Sequence, residues 1–485
     1  MPKLSNHILA SRPTAIRNAG FRFSQRKDGC QAINVAIGNV TLPIHPAMLK
    51  RLQLLGTDES PFGSGEVPYS ASLGFEETRS AFLHVLEAAG YNTDNLHVQV
   101  TDGGSQGMEL LLTACCGDAG SSKMPLMVID PSYTNYNSFA KRLGRRLVSF
   151  SRHLEENGNF TLPDFAEIER KIRAEEPNAL LVIPYDNPTG QLYTHEMLVE
   201  LARLCVKYDM WLISDEAYRE LYYIDRKDPH GLPISIWGIE EAEVPGITGL
   251  RVSLETVSKT WNGCGLRVGA LVTDNADLHQ RMLNENMANL CCSVLSQWVF
   301  GAVAHLDNDD ICSWHEEQRT YYGPLTRSFY ESMNELLPGV IVSRAEASLY
   351  EVVDFRNFVS ENFSTDDFVV WCASEGAIDE NGSTVTVLTA PLAEFYSVDD
   401  ENDNPGRTQI RVAFVQPPEV MARVPRLLVG LFRKYLQIHP ELSKNWNAGN
   451  PAGAVSESRP GQRKATGVPQ TQKNFTSLRR KRHSA

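Results

Sequence analysis

Along this chain, short β-rich apolar runs alternate with longer stretches whose apolar residues recur at helical spacing. Leu126-Met127-Val128-Ile129, Leu180-Leu181-Val182-Ile183, Trp211-Leu212-Ile213 and Ala270-Leu271-Val272 are each too brief for a buried helix and are bounded by Pro, Asp, Asn or Gly. That pattern predicts buried parallel strands of an α/β unit. Ligands of such sheets gather at the carboxyl ends of the strands. Asp130-Pro131-Ser132-Tyr133, Tyr185-Asp186-Asn187 and Ser214-Asp215 each follow an apolar run directly, so three polar clusters are expected on one rim. From Asp307 to Glu335 the pattern is mostly helical. Beyond it, strand-like Val340-Ile341-Val342, Tyr350-Glu351-Val352-Val353 and Val385-Thr386-Val387 mix with helices such as Pro425 to Tyr435. The expected organisation is an N-terminal arm and part of a small domain over 1–50, a large domain over 51–325 and a smaller α+β domain over 326–442. The stretch 443–485, rich in Gly, Pro, Ser, Gln, Lys and Arg, is expected to be disordered.

Composition narrows the class. With 485 residues, 42% of them hydrophobic, the chain can bury a large core. The net charge of -13 hides a split: residues 443–485 carry nine Lys/Arg against the single Glu457, which leaves about -21 on the body. Phosphate binding must therefore come from a local site, and nucleic acid is an improbable partner for the body. The nine cysteines are an odd number, include the adjacent pairs Cys115-Cys116 and Cys291-Cys292, and show no CxxC zinc spacing. This predicts reduced thiols, a cytoplasmic setting and no metal. No apolar run reaches the length of a membrane span, so a soluble protein is expected. The first 27 residues hold six Lys/Arg and no acid before Asp28, a composition shared by organelle transit peptides.

Lys259 carries the chemical argument. It stands in Thr256-Val257-Ser258-Lys259, and Cys264-Gly265-Leu266-Arg267-Val268-Gly269 places an arginine eight positions on. An aldehyde cofactor needs an amine that is unprotonated when it attacks, and this spacing suits a Schiff-base lysine whose cofactor phosphate is gripped by neighbouring hydroxyls and a guanidinium. Asp215, in Asp215-Glu216-Ala217-Tyr218, offers the carboxylate that keeps a ring nitrogen protonated, an effect of about 1–3 pKa units for groups in contact. Taken alone it reads first as a strand-end Asp capping a helix; the Asp-x-Ala-Tyr spacing together with Lys259 reverses that. Asn187-Pro188-Thr189-Gly190 by itself is turn chemistry. Thr101-Asp102-Gly103-Gly104-Ser105-Gln106-Gly107 runs into the helical stretch Met108 to Leu112, the arrangement of a phosphate site at a helix N-terminus. It lacks the Gly-Lys-Ser/Thr of a Walker loop. Arg411, in Ile410-Arg411-Val412, could bind a carboxylate bidentately or lie on the surface of an amphipathic strand.

Together these segments, from about Ile33 to about Tyr435, resemble the class I/II aminotransferases, pyridoxal 5'-phosphate (PLP) enzymes of fold type I. The resemblance implies a large PLP-binding domain with a mainly parallel seven-stranded sheet flanked by helices, plus the smaller α+β domain. It implies that Lys259 anchors the cofactor and then moves protons, that Asp215 faces the ring nitrogen, and that Tyr218 and Asn187 face the ring's 3-oxygen. Tyr133 would stack on the ring, and Gly104, Ser105, Gln106, Thr256, Ser258 and Arg267 would hold the phosphate. Arg411, the backbone of Gly38 and Asn187 would bind the substrate. Tyr69, five residues before Gly74, would reach the partner's phosphate, which makes the expected assembly a homodimer with shared active sites. An ordered N-terminal arm over the partner is implied in place of a transit peptide.

The expected reaction moves the amino group of an L-amino acid to a 2-oxo acid. Ile33 to Met48 resembles aminotransferases of the aspartate and diaminopimelate kinds, which favours an acidic amino acid with 2-oxoglutarate. No second arginine for a side-chain carboxylate is assignable; Leu290 to Ser296 holds none. Two departures bear on the pocket: the acidic insertion Ser397 to Asn404, and Trp261 with Cys264 inside the lysine–arginine loop. A lyase or synthase of the same fold would keep the same motifs. A non-catalytic PLP-sensing regulator would need a DNA-binding domain, for which the stretch before Ile33 is too short.

Overall fold

Seven short strands lie side by side in the order His97–Thr101, Gly269–Thr273, Arg251–Thr256, Trp211–Asp215, Ala179–Val182, Leu126–Asp130 and Leu147–Ser151. Only Gly269–Thr273 runs against its neighbours. The computed structural model describes residues 2–11, 13–224, 234–398 and 403–444. Successive side chains of a strand point to opposite faces, and here both faces are apolar. Met127, Leu180, Leu212 and Val272 enter one hydrophobic cluster. Leu126, Val128, Leu181, Ile213 and Leu271 enter the other. A sheet covered on both sides accounts for the short uninterrupted apolar runs.

Helices cover these faces. Gly103–Cys115 follows directly on His97–Thr101 and buries Met108, Leu111, Leu112 and Cys115, one stripe at helical spacing. Gly103 has φ +69°, and a Cβ there would run into the Arg267 guanidinium, so only glycine lets the helix begin so close to that side chain. The expected helix from Asp307 is a single 29-residue helix, Asn308–Leu336, with Asp307 capping it by accepting from Asp310 N.

The remaining strands form two smaller sheets. Ile341–Val342, Tyr350–Asp354, Gln409–Ala413 and Ala390–Pro391 make a four-stranded antiparallel sheet. Gln31–Asn34 pairs in parallel with Ser383–Leu388, which pairs antiparallel with Ile378–Glu380. The segment before residue 50 thus joins the C-terminal strands. Most of the expected tail 443–485, and residues 399–402 of the acidic insertion Ser397 to Asn404, lie outside the described residues. Ser397, at the start of the insertion, donates its backbone N–H to Asp130 Oδ2 (2.6 Å).

Candidate active site

The parallel strands end on one rim, and the cavity there is lined from several of them. Asp215 closes Trp211–Asp215, Thr256 closes Arg251–Thr256, and Tyr133 and Asn187 follow Leu126–Asp130 and Ala179–Val182 within a few residues. Arg411 comes from the four-stranded sheet, so the cavity lies between the two sheet systems.

At one end stand Gly104 and Ser105, at the start of the helix Gly103–Cys115, together with Thr256, Ser258 and Arg267. Thr256 Oγ1 donates to Ser258 Oγ (2.9 Å). Arg267 donates to the backbone oxygen of Cys264 (3.0 Å), and no carboxylate among the described residues pairs with it. Free helix-terminal N–H groups, two hydroxyls and an unneutralised guanidinium make an anion site. Gln106 does not face it: its side chain accepts from Asp102 N (2.6 Å) and donates to Asn286 (3.2 Å).

In the middle, Asp215 is half-buried and opens onto the cavity, and its burial pushes the carboxyl above the ordinary range. The Tyr136 hydroxyl (2.5 Å to Oδ2) and Ala217 N–H (3.1 Å to Oδ1) pull it back. No cation among the described residues forms an ion pair with Asp215, though the Lys259 charge pulls its carboxyl down from a distance. Tyr218 meets Tyr350, hydroxyl to hydroxyl, at 2.7 Å, and burial followed by this contact raises the Tyr218 phenol well above normal. Lys259 Nζ donates to the Gly38 carbonyl and lies 3.7 Å from Cys264 Sγ.

At the far end, Arg411 is 4% exposed. Its Nη1 donates to Asn187 Oδ1 (2.8 Å) and its Nη2 to Ala36 O (2.7 Å), while the Tyr350 and Phe395 rings lie 4.2 Å and 5.0 Å from the guanidinium carbon. Nε is buried without a partner. A Cβ at Gly38 would collide with the Tyr350 hydroxyl, so close approach explains that glycine. Behind the site, buried Arg152 pairs with Asp186 (2.7 Å) and donates to Pro131 O (3.4 Å), bracing the two loops that carry Asn187 and Tyr133.

Of the residues assigned a cofactor or substrate role in the sequence, all but Tyr69, Gln106 and Gly38 line this cavity, and Gly38 touches Lys259 and Tyr350. Tyr69 is 78% exposed and outside it. Trp261 packs in the core against Trp314, centroids 6.0 Å apart, while Cys264 lines the cavity. Tyr136 and Tyr350 were missed. Tyr136 is one helical turn beyond Tyr133, and Tyr350 lies two residues from Val352, the cross-strand partner of Arg411. Such i+3 and diagonal positions were the available signals.

The arrangement fits pyridoxal phosphate: an anion site, a carboxylate without an ion-pair partner, phenols and an amine follow one another along a single cavity. The Aminotransferase class I and II family model matches residues 31–420. The chain is 27% identical to alanine aminotransferase 1, mitochondrial, of Arabidopsis thaliana over 314 residues, 60% of this chain and 55% of that one. It is 28% identical to an aspartate aminotransferase of Streptomyces avermitilis over 205 residues, 42% of this chain and 46% of that one. The match thus spans about half the length of these curated relatives. Aspartate aminotransferase from Thermus thermophilus, solved with maleate, superposes with a TM-score of 0.70 at 18% identity, covering 89% of this chain and 100% of that one. By its fold, by the donors along its cavity and by a match over most of its length, this chain belongs to the class I and II aminotransferases, the pyridoxal-phosphate enzymes of fold type I.

Proposed function

We propose that this protein is an aminotransferase that moves the amino group of an L-amino acid to a 2-oxo acid such as 2-oxoglutarate, and that it works in the cytoplasm as a homodimer. The observation that carries the reading is that Lys259, Asp215 and Arg411, from three distant segments, line one cavity. When bound, the cofactor supplies an aldehyde carbon that takes up the amino group and a ring that accepts the electrons left at the substrate's α-carbon. Lys259 holds it through Nζ and, once released, carries a proton at the same atom. Asp215 would provide the negative charge for the ring nitrogen, Tyr218 and Asn187 would serve the ring's oxygen, and Tyr133 would pack on the ring. Gly104, Ser105, Thr256, Ser258 and Arg267 hold the phosphate, joined by the backbone of Gln106 at the helix start. Arg411, steadied by Asn187 and two aromatic rings, grips the substrate carboxylate beside Gly38 and sets the orientation of the reacting bond.

Alanine and aspartate are the first substrates to try. The acidic type, favoured by the sequence, needs a cation for its side chain. Arg267 and Arg411 are both engaged, so that cation would come from the partner subunit. Exposed Tyr69, with Leu4, Ile8, Leu9 and Phe21 of the arm, supports an assembly in which Tyr69 completes the partner's phosphate site. The division into an arm over 1–50, a large domain over 51–325 and a small domain over 326–442 is supported by the separate sheets. The test is the absorbance of the cofactor-loaded protein with L-aspartate, then L-alanine, and Lys259→Ala alongside. A visible band that bleaches with one amino acid and returns with 2-oxoglutarate supports transamination. Release of pyruvate or ammonia without that cycle would mean a lyase, and no band in the parent protein would sink the reading.

A further inference from the structure

The strands Trp211–Asp215 and Arg251–Thr256 run in parallel with Ser214 opposite Ser253 and Asp215 opposite Leu254. Asp215, Leu254 and Thr256 line the cavity, so alternation turns Ser214, Glu216, Ser253 and Glu255 to the far side. The chain therefore carries the same Ser-x-Glu pattern twice, on neighbouring strand ends, behind the site. Glu216 and Glu255 are 2% and 5% exposed, and both meet one guanidinium, that of Arg219, itself 2% exposed. Arg219 donates twice to Glu255, Nη2 at 2.7 Å and Nε at 3.2 Å, and lies 3.4 Å from Glu216. Ser214 and Ser235 donate to Glu216 Oε1 (both 2.9 Å), and Ser253 donates to Glu255 Oε1 (2.7 Å). None of these side chains lines the cavity.

Burying three charges is costly, and well-packed apolar residues commonly serve stability as well or better. Two positions earlier on the same face, one strand is apolar at Leu212, while the other carries Arg251, which is paired with Asp274 (2.7 Å). We propose that Arg219 is a positioning residue of the active site: it clamps Glu216 and Glu255, fixing the spacing of the strand ends that carry Asp215 and lead to Lys259, and its charge tunes the field there. This rests on the reading that Asp215 and Lys259 flank the cofactor. The surrounding titratable groups are Tyr91, Tyr185, Glu220 and His315, with Arg319 beside Glu220 (3.6 Å). Burial raises both phenols and, with Arg319 and Arg219, pushes His315 down to about 3, which leaves those three neutral near pH 7. Burial pushes the Glu216 carboxyl up, against the pull of the Arg219 charge and the Ser235 and Ser214 hydroxyls.

The test uses the cofactor-loaded full chain and the pH at which its visible band gives way to the near-ultraviolet form, with thermal melting in parallel. Arg219→Met removes a positive charge from behind the strand ends and should raise that midpoint by about one pH unit, the effect of one charge felt over about 10 Å at an effective dielectric constant near 20. Glu255→Gln should lower it, and Arg219→Lys should recover part of the Arg219→Met shift. Folded variants with lowered melting points and an unmoved midpoint would reduce the cluster to a stability element and overturn the proposal. If Arg219→Met does not fold, Glu255→Gln decides: an unshifted midpoint overturns it. A parent protein with no pH-dependent band, or one whose midpoint ignores Asp215→Asn, would instead bring down the cofactor-site reading, and the clamp with it.

Discussion

Replacing Arg411 with lysine keeps the positive charge at the substrate end of the cavity and removes its fork. The guanidinium is oriented by Asn187 Oδ1 at 2.8 Å, Ala36 O at 2.7 Å and the Tyr350 ring at 4.2 Å. Lysine offers a point charge on a flexible stem, so one of two charge-assisted hydrogen bonds to a carboxylate is lost. A hydrogen bond to a charged group is worth about 1.5–3 kcal/mol, which corresponds to a fall in kcat/KM of roughly ten- to a hundredfold. The substitution also leaves one of the two acceptors, Asn187 Oδ1 or Ala36 O, without its donor, at about 1–3 kcal/mol, so the melting temperature should drop as well. Rates are therefore referred to the folded fraction. The assay is kcat/KM for L-alanine and L-aspartate with 2-oxoglutarate, beside inhibition by propanoate, which presents a carboxylate without an amine. Both should weaken together while the cofactor spectrum stays unchanged. A folded Arg411→Lys protein whose kcat/KM lies within twofold of the parent would show that Arg411 does not hold the carboxylate.

Two further outcomes follow from the geometry. Tyr350→Phe removes the hydroxyl that meets Tyr218 at 2.7 Å but keeps the ring over Arg411. A hydrogen bond of about 1 kcal/mol predicts a several-fold loss in kcat with KM for the amino acid nearly unchanged, and steady-state kinetics showing the larger effect in KM would assign the hydroxyl to the substrate instead. Burial lifts the Asp130 carboxyl from 3.8 to about 6, against donation from Ser397 N and Ser132. Its native state therefore holds a proton that the unfolded chain has lost, so this contribution is complete below about pH 4 and disappears as pH rises through about 6. Urea titrations should show stability falling more steeply over that range in the parent than in Asp130→Asn, and parallel curves would contradict the assignment.

Strands with continuous apolar runs were legible in the chain: Leu126–Asp130, Ala179–Val182, Trp211–Asp215 and Gly269–Thr273 each carry one. His97–Thr101, Leu147–Ser151 and Arg251–Thr256 were not singled out as strands. His97–Thr101 buries polar Gln99, and Arg251–Thr256 carries Arg251 and Glu255. Arg251 is satisfied by Asp274 (2.7 Å) and Glu255 by Arg219, partners 23 and 36 positions away that no local pattern reveals.

The same division runs through the site. Spacing along the chain was enough for Lys259 with Arg267 and for the glycine-rich helix start, because each acts within one turn or loop and obeys local geometry. Crossovers and strand register decided that Arg411 meets Asn187, that Tyr136 holds Asp215, that Tyr350 stands between Tyr218 and Arg411, and that Gln106 turns its side chain away. Alternation along a strand tells which residues share a face, whereas what that face meets depends on the order in which the strands assemble. The sequence by itself determined the continuous apolar strands, the helical stretches and the reactive groups; the tertiary structure alone chose their neighbours, and with them the charge and orientation of each group.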